Sequence, residues 1–220
     1  MKQIILVLIC VTTLLCSCKK DKTNDMPVVI ADSLLYQTDF STNDGSWPTL
    51  NFSTFSTGYV NGKYQIEIDS VNVLKEITAP YTAINSQYSF SADCTLQVDD
   101  ITKSGSVGLV YNKVGNDLML LRIFNDGSYI VYEIHNGSPS QLIAKTASSD
   151  IKTNAGDVNN LKVVQTYNTT KFYINSKIQN SISYNELTGN VQVGVFSSTD
   201  PGIYTRVVGT FDNINISKVF

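Results

Sequence analysis

The sequence predicts an all-β protein in which antiparallel strands form two packed sheets. From residue 34 onward, short segments alternate apolar with polar residues and are rich in Val, Ile, Thr, Tyr and Phe, which is the pattern of half-buried strands. No segment keeps a period of 3.6 residues for three turns, so no long helix is predicted. The clearest predicted strands are residues 64–69, 90–99, 106–111, 118–124, 128–135, 161–165, 171–174 and 191–196.

Turn residues separate these segments. Asn61-Gly62 and Asn136-Gly137 each predict a tight hairpin, because Asn and Gly adopt the positive φ that such turns require. The segment 125–128, Asn-Asp-Gly-Ser, predicts a third connection of this kind. Strands that follow one another in sequence are therefore expected to pair. About a dozen such strands in one flat sheet would leave one face of each strand unburied, so two packed sheets are predicted.

The first 17 residues resemble a bacterial signal peptide. Lys2 precedes an apolar run, residues 4–15, that is too short to span a bilayer. Residues 15–18, Leu-Cys-Ser-Cys, resemble the lipobox of bacterial lipoproteins, which implies that Cys18 becomes the lipidated first residue of the mature chain. Several hydrocarbon chains on one residue suffice for stable anchoring. Residues 18–30 are then the lipidated cysteine with a flexible tether, and residues 31–220 are the folded domain.

These features predict a lipid-anchored protein of the bacterial cell envelope, with the membrane as a partner through the anchor. The outer membrane is the favoured location, and the cell surface is a further option. Residues 19–22, Lys-Lys-Asp-Lys, resemble in part the export signal of Bacteroides-type surface lipoproteins, although those signals are richer in acid.

The amino-acid composition indicates which binding partners and which covalent links are expected. The 220 residues include 16 Lys and Arg and 19 Asp and Glu, without long blocks of one sign, so nucleic acid is not an expected partner. Of the four cysteines, only Cys94 stays in the domain without lipid, so no internal disulfide is available. Cys94 lies on the apolar side of its alternating segment and is predicted to be a core residue.

Seven segments carry a resemblance to a known family: residues 106–112, 117–129, 132–137, 160–164, 172–176, 193–196 and 211–214. In order and spacing they resemble a concanavalin A-like jelly roll of the laminin G and 3-keto-disaccharide hydrolase-like type. The resemblance spans roughly residues 34–217 and implies a two-sheet antiparallel jelly-roll sandwich. Asn175-Ser176 stands where the family usually has an Asn-Gly turn. The fold hosts lectins, glucanases and adhesion domains, so it does not choose among these functions.

Glucanases of this fold carry Glu-x-Asp-x-x-Glu, or a form one residue shorter, on one strand. Glu67 and Asp69 match the first two acids, but Val71 and Asn72 occupy the positions of the third. Without that acid, the leaving group has no proton donor. Glu67 and Asp69 therefore remain candidates for ligand binding, or are simply solvated carboxylates. His135 is the only histidine and ends a predicted strand beside a turn, so we interpret it as solvated.

Sugar binding needs exposed aromatic faces beside hydrogen-bonding side chains. On the predicted strand 128–135, the apolar residues Ile130, Tyr132 and Ile134 are expected to face the core. The residues predicted to line a concave binding face are then Arg122, Tyr129 and Glu133. The alternative is that these side chains form only a cross-strand ion pair on a solvated sheet.

Calcium is the one candidate cofactor, since proteins of this fold often bind it with loop carboxylates and carbonyls. Asp212 is the preferred ligand, because the resemblance places Phe-Asp-Asn at the start of the last strand. Other candidate oxygens belong to the pairs 99–100 and 116–117. No run has the spacing of a dedicated calcium loop, so the alternative is that no cofactor is bound.

The favoured function is that of a cell-envelope lipoprotein whose jelly-roll domain binds a glycan or another surface ligand without altering it. Two alternatives remain open. A sugar-active hydrolase of the 3-keto-disaccharide hydrolase-like type would need two close acids with unequal pKa in its groove. An adhesion or assembly subunit of the cell surface would instead present an exposed apolar edge or patch.

Overall fold

Two antiparallel sheets make up the described part of the protein, as predicted. The computed structural model describes residues 33–81, 84, 87–183, 190–202 and 204–220. The predicted signal peptide, the lipidation residue Cys18 and the tether lie outside these residues. Within the described ranges there is no helix, and none that could cross a membrane.

Fifteen strands are seen among the described residues. In chain order they are β1 (Ser33–Thr38), β2 (Leu50–Asn51), β3 (Phe55–Val60), β4 (Lys63–Ile68), β5 (Leu74–Thr78), β6 (Tyr88–Val98), β7 (Gly105–Val114), β8 (Asp117–Phe124), β9 (Ser128–His135), β10 (Ser138–Ala147), β11 (Asn159–Gln165), β12 (Thr170–Ile174), β13 (Lys177–Ile182), β14 (Gln192–Thr199) and β15 (Val207–Lys218). The larger sheet has nine strands in the order β13-β12-β11-β6-β15-β4-β3-β2, and β1 also pairs with β15. The smaller sheet has six strands in the order β10-β9-β8-β7-β14-β5.

The main core lies between the two sheets and is filled by alternate residues of each strand. On β4, Tyr64, Ile66 and Ile68 are buried there, while the residues between them are partly exposed. On β9, Tyr129 and Val131 contribute to the same core from the smaller sheet. This alternation is what a sheet with one buried face requires.

Cys94 on β6 is buried in this core, so its sequence-based prediction is confirmed. Its Sγ atom donates a hydrogen bond to the backbone oxygen of Asn159 at 3.4 Å. Burial raises the pKa of the Cys94 thiol far above its usual value. The reactive thiolate is therefore scarce in the folded protein.

The hairpins predicted from Asn-Gly dipeptides are present. Asn61-Gly62 joins β3 to β4 with φ of 51° and 71°, and Asn136-Gly137 joins β9 to β10 with φ of 50° and 78°. Asn175-Ser176 also forms its hairpin, with φ of 50° and 66°. A serine at positive φ is strained relative to glycine, so the pairing of β12 with β13 holds this turn.

The described chain enters the domain at one end of the sandwich. Ser33 pairs with Lys218, the last residue of β15. At the other end of β15, the backbone N–H of Asp99 donates to the oxygen of Arg206. The segments that follow β4 and β14 lie at this same end of the sandwich. Twelve residues of β15 separate the two ends, which corresponds to about 35 Å of strand.

Candidate ligand-binding site

A hollow lies on the outer face of the six-stranded sheet, the face turned away from the main core. It has a volume of about 380 Å³, which lies in the range of small-molecule sites. Two segments from β5 and β14 form one side, and β9 and β10 form the other. The lining residues are Asn72, Val73, Leu74, Arg122, Ile130, Tyr132, Ile134, Pro139, Ser140, Gln141, Ser198, Thr199, Asp200 and Pro201.

An apolar cluster on the same face of the sheet adjoins this cavity. Phe196 is completely buried although it projects from the outer face of β14. Gly108 on the neighbouring strand makes this possible, because a Cβ atom there would lie 2.8 Å from the Phe196 ring. The buried residues of the cluster are Val110, Leu118, Leu120, Tyr132 and Phe196, and of these Tyr132 lines the cavity.

The prediction that Ile130, Tyr132 and Ile134 face the main core is wrong. These residues pack on the outer cluster, and Tyr129 is the residue of β9 that belongs to the main core. Both sides of β9 are apolar, so alternation alone could not tell which side is turned inward. Tyr129 therefore does not join Arg122 in the cavity, and Glu133 shares the strand parity of Tyr129.

Arg122 reaches the cavity from β8 and is held there by three contacts. Its Nη2 donates to Oδ1 of Asp200 at 2.6 Å, and its Nε donates to the Ser106 hydroxyl. Its guanidinium carbon lies 4.4 Å from the centre of the Phe124 ring. The side chains of Arg122 and Asp200 are 13% and 26% exposed. The pair is therefore partly withdrawn from water yet accessible to a ligand.

Tyr132 forms part of the cavity wall beside this pair. Burial raises the pKa of Tyr132, although the nearby Arg122 guanidinium favours the ionised form. The phenol therefore stays protonated at neutral pH and offers a hydroxyl and a ring face together.

A second ion pair lies on the same side of the sheet but does not line the cavity. Lys113 Nζ is 3.3 Å from Oε1 of Glu76. Glu76 pairs with Phe196 in the strand register. Asp200 lies four residues after Phe196 in the chain, which corresponds to about 13 Å of strand. Lys113 is level with Gln192, on the opposite side of Phe196, so Glu76 leans away from Asp200.

Glu67 and Asp69 lie on the other sheet, at the end of β4. Arg206 Nε donates to Oε1 of Glu67 at 2.7 Å, and its Nη1 is 3.7 Å from Asp99. The Tyr204 hydroxyl donates to Oδ1 of Asp69 at 2.5 Å. The hydrogen bond with Glu67 raises the pKa of Arg206, and that with Asp69 raises the pKa of Tyr204. The structure therefore does not bring these two acids to Arg122, and a ligand-binding role for them stays a prediction.

Asp212, the preferred calcium ligand, lies opposite Asp93 on the neighbouring strand β6. Its Oδ1 accepts the backbone N–H of Asn213 at 2.8 Å. The Asp93 carboxylate accepts side-chain amide hydrogens from Asn160 at 2.8 Å and from Asn213 at 2.9 Å. Among the described residues, no three His, Cys, Asp or Glu side chains are grouped for a metal ion. Calcium binding stays a prediction.

His135 lies at the end of β9, and its side chain is 68% exposed. Its Nδ1 is 2.9 Å from Oδ2 of Asp117, and the backbone N–H of Asn136 donates to Oδ1 of the same carboxylate at 3.0 Å. That backbone hydrogen bond is the main cause that lowers the pKa of Asp117. The arrangement secures two hairpin ends, and His135 is solvated, as predicted.

Sequence reasoning missed Asp200, the acid that pairs with Arg122. Asp200 stands in Thr-Asp-Pro-Gly, a segment that reads as an ordinary turn. It is 78 residues from Arg122 in the chain. Only the pairing of β7 with both β8 and β14 brings the two residues together.

Comparisons with known proteins identify the architecture. No family model matches the sequence, and a search of curated proteins finds no match. Among solved structures, the carbohydrate-binding module CBM66 from Bacillus subtilis is similar over 79% of this chain and 96% of that chain, with a TM-score of 0.56 and 16% identity. The fold is a two-sheet jelly-roll sandwich.

Two enzymes also share this sandwich. The catalytic domain of an endo-1,3-β-glucanase (laminarinase) from Thermotoga petrophila is similar over 86% of this chain and 98% of that chain, with a TM-score of 0.59 and 8% identity. A GlcNAcα1-4Gal-releasing endo-β-galactosidase from Clostridium perfringens is similar over 86% of this chain and 63% of that chain, with a TM-score of 0.61 and 10% identity. Binding modules and hydrolases thus occur on the same fold, so the site has to distinguish them.

Proposed function

We propose that the protein is a lipid-anchored protein of the bacterial cell envelope whose jelly-roll domain binds a glycan in the Arg122 cavity without cleaving it. The observation that carries the proposal is the cavity itself, in which the apolar side chains of Ile130, Tyr132 and Ile134 adjoin the Arg122–Asp200 ion pair. Similarity to CBM66 supports the proposal at the level of the fold.

The chemistry of the cavity suits a sugar ring. The faces of a pyranose or furanose carry C–H groups that pack on apolar and aromatic surfaces, and Ile130, Tyr132 and Ile134 provide such a surface. The hydroxyls at the ring edge need donors and acceptors in fixed positions, which Arg122 and Asp200 provide at one end of the cavity. Apolar contact thus gives affinity, and the ion pair gives orientation.

The position of the acids supports binding rather than hydrolysis. Glycosidases use two carboxyl groups about 5 to 9.5 Å apart. On the outer face of the six-stranded sheet, Glu76 is level with Phe196, which lies about 13 Å of strand from Asp200. Asp200, Glu76 and Asp126 are each held by a basic side chain. A carboxylate in an ion pair is a poor proton donor at neutral pH, because the neighbouring charge favours its ionised form.

The binding proposal is tested with Arg122→Ala and a matched control. A glycan array with residues 31–220 identifies the strongest glycan, and calorimetry then measures its affinity. Arg122→Ala should weaken binding at least about tenfold, because a charge-assisted hydrogen bond is lost. Arg206→Ala removes an Arg–carboxylate pair on the other sheet and should leave the affinity unchanged.

Thermal unfolding shows whether each variant is folded, and Gln141→Ala at the cavity rim provides a second, milder variant. Equal affinity of the wild type and both cavity variants would move the binding site elsewhere on the domain. Binding to no glycan would overturn the proposal.

The hydrolase alternative is tested with reducing-end assays on a polysaccharide panel and with a panel of 3-keto-disaccharides. No turnover above background is expected. Activity that is abolished by Glu67→Gln or Asp69→Asn would restore the hydrolase. The variants Asp200→Asn and Glu76→Gln extend the test to the cavity face.

The anchor is tested with Cys18→Ala in the full chain. The variant should remain an uncleaved precursor without lipid, because the thiol that accepts the lipid is gone. Mass spectrometry and detergent-phase partitioning report the result. A variant that partitions with detergent like a lipidated wild type would overturn the assignment of Cys18.

A further inference from the structure

The charge balance of the cavity determines which glycans it can hold. Arg122 and Asp200 are the only charged residues among its described lining, and they form one ion pair at 2.6 Å. We propose that the cavity is selective for uncharged sugars, with adjacent hydroxyls bound by Arg122 as donor and Asp200 as acceptor. This inference rests on the proposed glycan binding and adds the substrate class.

Arg122 keeps donors for a ligand after its own contacts are made. A guanidinium carries five N–H donors, and those of Arg122 serve Ser106, Asp200 and the Tyr132 hydroxyl, which leaves two for a ligand. The Asp200 carboxylate has several acceptor positions, and the hydrogen bond from Arg122 reaches Oδ1. The pair therefore presents donors and acceptors side by side. A hydroxyl can both donate and accept, so two adjacent hydroxyls match this pattern.

An acidic sugar does not match it. A carboxylate or a sulfate only accepts hydrogen bonds, so it could bind Arg122 but would leave the Asp200 carboxylate beside a second anion. Taking such a group out of water is costly unless an unpaired positive charge compensates it. Arg122 is already neutralised by Asp200 at 2.6 Å. Asp200 thus acts against acidic glycans as much as it binds neutral ones.

Other cations of the same sheet do not supply the missing charge. Lys113 is 3.3 Å from Glu76, and Lys145 is 2.7 Å from Asp126 and 4.1 Å from the centre of the Phe124 ring. Neither lysine belongs to the cavity lining. An acidic glycan would therefore find no unpaired cation among the described residues of this site.

The test compares neutral glycans with acidic analogues of the same backbone, which carry a uronate or a sulfate. Wild-type protein should bind the neutral member at least about tenfold more tightly. Asp200→Asn leaves Arg122 without its counter-charge and should raise the ratio of acidic to neutral affinity at least about tenfold. Glu76→Gln is the matched control, because it makes the same charge change in an ion pair outside the cavity and should leave the ratio unchanged.

Each outcome decides the inference. A wild type that prefers the acidic analogue, or an Asp200→Asn variant with an unchanged ratio, would overturn the charge selectivity and leave glycan binding intact. Binding to neither class would overturn both proposals. If Asp200→Asn does not fold, Arg122→Lys keeps the charge but loses the planar donors. That variant should lose neutral affinity without gaining acidic affinity, and a gain in acidic affinity would also overturn the inference.

Discussion

The two outer faces of the sandwich are built from the same kind of alternating strand, yet they expose different chemistry. On the six-stranded sheet, the outer face carries the buried cluster around Phe196 and the Arg122 cavity. On the nine-stranded sheet, the outward positions carry polar side chains such as Gln97 and Glu67, and their contacts are hydrogen bonds and ion pairs at the surface. The first face therefore combines an apolar cluster with a cavity, whereas the second carries polar pairs at its surface.

The six-stranded sheet is apolar on both faces although only one face packs against the other sheet. Residues 118–121, Leu-Met-Leu-Leu, supply apolar groups to both faces of β8. Such a run is typical of a strand covered on both sides. Here the outer cover is a shallow cluster, and the hollow beside it remains open to a ligand.

The largest effect on stability is expected at the buried outer cluster of the six-stranded sheet. Phe196→Ala should lower the free energy of unfolding by about 3 to 5 kcal/mol, because a fully buried ring leaves a cavity when it is removed. Gln97→Ala on the opposite outer face should change it by no more than about 0.5 kcal/mol. Urea unfolding measures both. A loss below about 1 kcal/mol for Phe196→Ala would show that this face is solvated like the other.

One glycine in each sheet allows a second test of the difference between the two sheets. A Cβ atom at Gly108 would lie 2.0 Å from the backbone oxygen of Leu121, whereas at Gly58 on β3 the nearest atom, of Thr49, is 3.4 Å away. Gly108→Ala should therefore destabilise by about 1 to 3 kcal/mol or more, since the backbone has to shift. Gly58→Ala should change stability by no more than about 0.5 kcal/mol. Thermal unfolding of the pair tests this, and equal losses would contradict the close approach of Phe196 to β7.

The ion pairs of the two faces should also differ. A double-mutant cycle on Arg122 and Asp200 should give a coupling energy of about 1 to 3 kcal/mol, because both groups are largely withdrawn from water. The cycle on Arg206 and Glu67 should give about 0.2 to 1 kcal/mol, since Arg206 is more exposed and water screens the pair. Chemical denaturation of the four variants of each cycle measures the coupling. Equal coupling energies would mean that water screens the Arg122–Asp200 pair as much as the Arg206–Glu67 pair.

The smallest effect concerns two tyrosines whose pKa is raised for different reasons. Burial raises the pKa of Tyr132, whereas the hydrogen bond to Asp69 raises that of Tyr204. A raised pKa favours the protonated form in the folded state, so the contribution of each tyrosine is present below pH 10 and is lost as the pH rises through its folded pKa. Asp69→Asn should return the pKa of Tyr204 towards 10.0 and leave Tyr132 unchanged. Carbon-13 NMR of the tyrosine rings follows both, and a parallel shift of Tyr132 would contradict the separate causes.

Much of the fold was predictable because its signals are local. The predicted strand 118–124 is β8 apart from its first residue, and the predicted strand 128–135 is β9. Cys94 was placed in the core because its neighbours alternate strictly. An alternating run and a positive-φ turn each depend on residues next to one another, so they can be recognised in the sequence alone.

The candidate site was predictable only in part. Arg122 was identified from the alternation of its strand, in which it shares a face with Leu120 and Phe124. Its companions were misassigned, because alternation shows that Tyr129 and Tyr132 are on opposite faces, and not which face is inward. Asp200 was missed, since a turn aspartate has no chemical signature before its partner is known.

The sequence by itself determined the strands, the tight turns and the two-sheet architecture, because hydrophobic alternation and positive φ act over a few residues. Only the tertiary structure decided which side of β9 is buried and which acid neutralises Arg122. Those choices depend on strand order, which brings β14 beside β7 and so places Asp200 next to a residue 78 positions away. A contact between distant residues is set by the packing of whole sheets, and no local pattern records it.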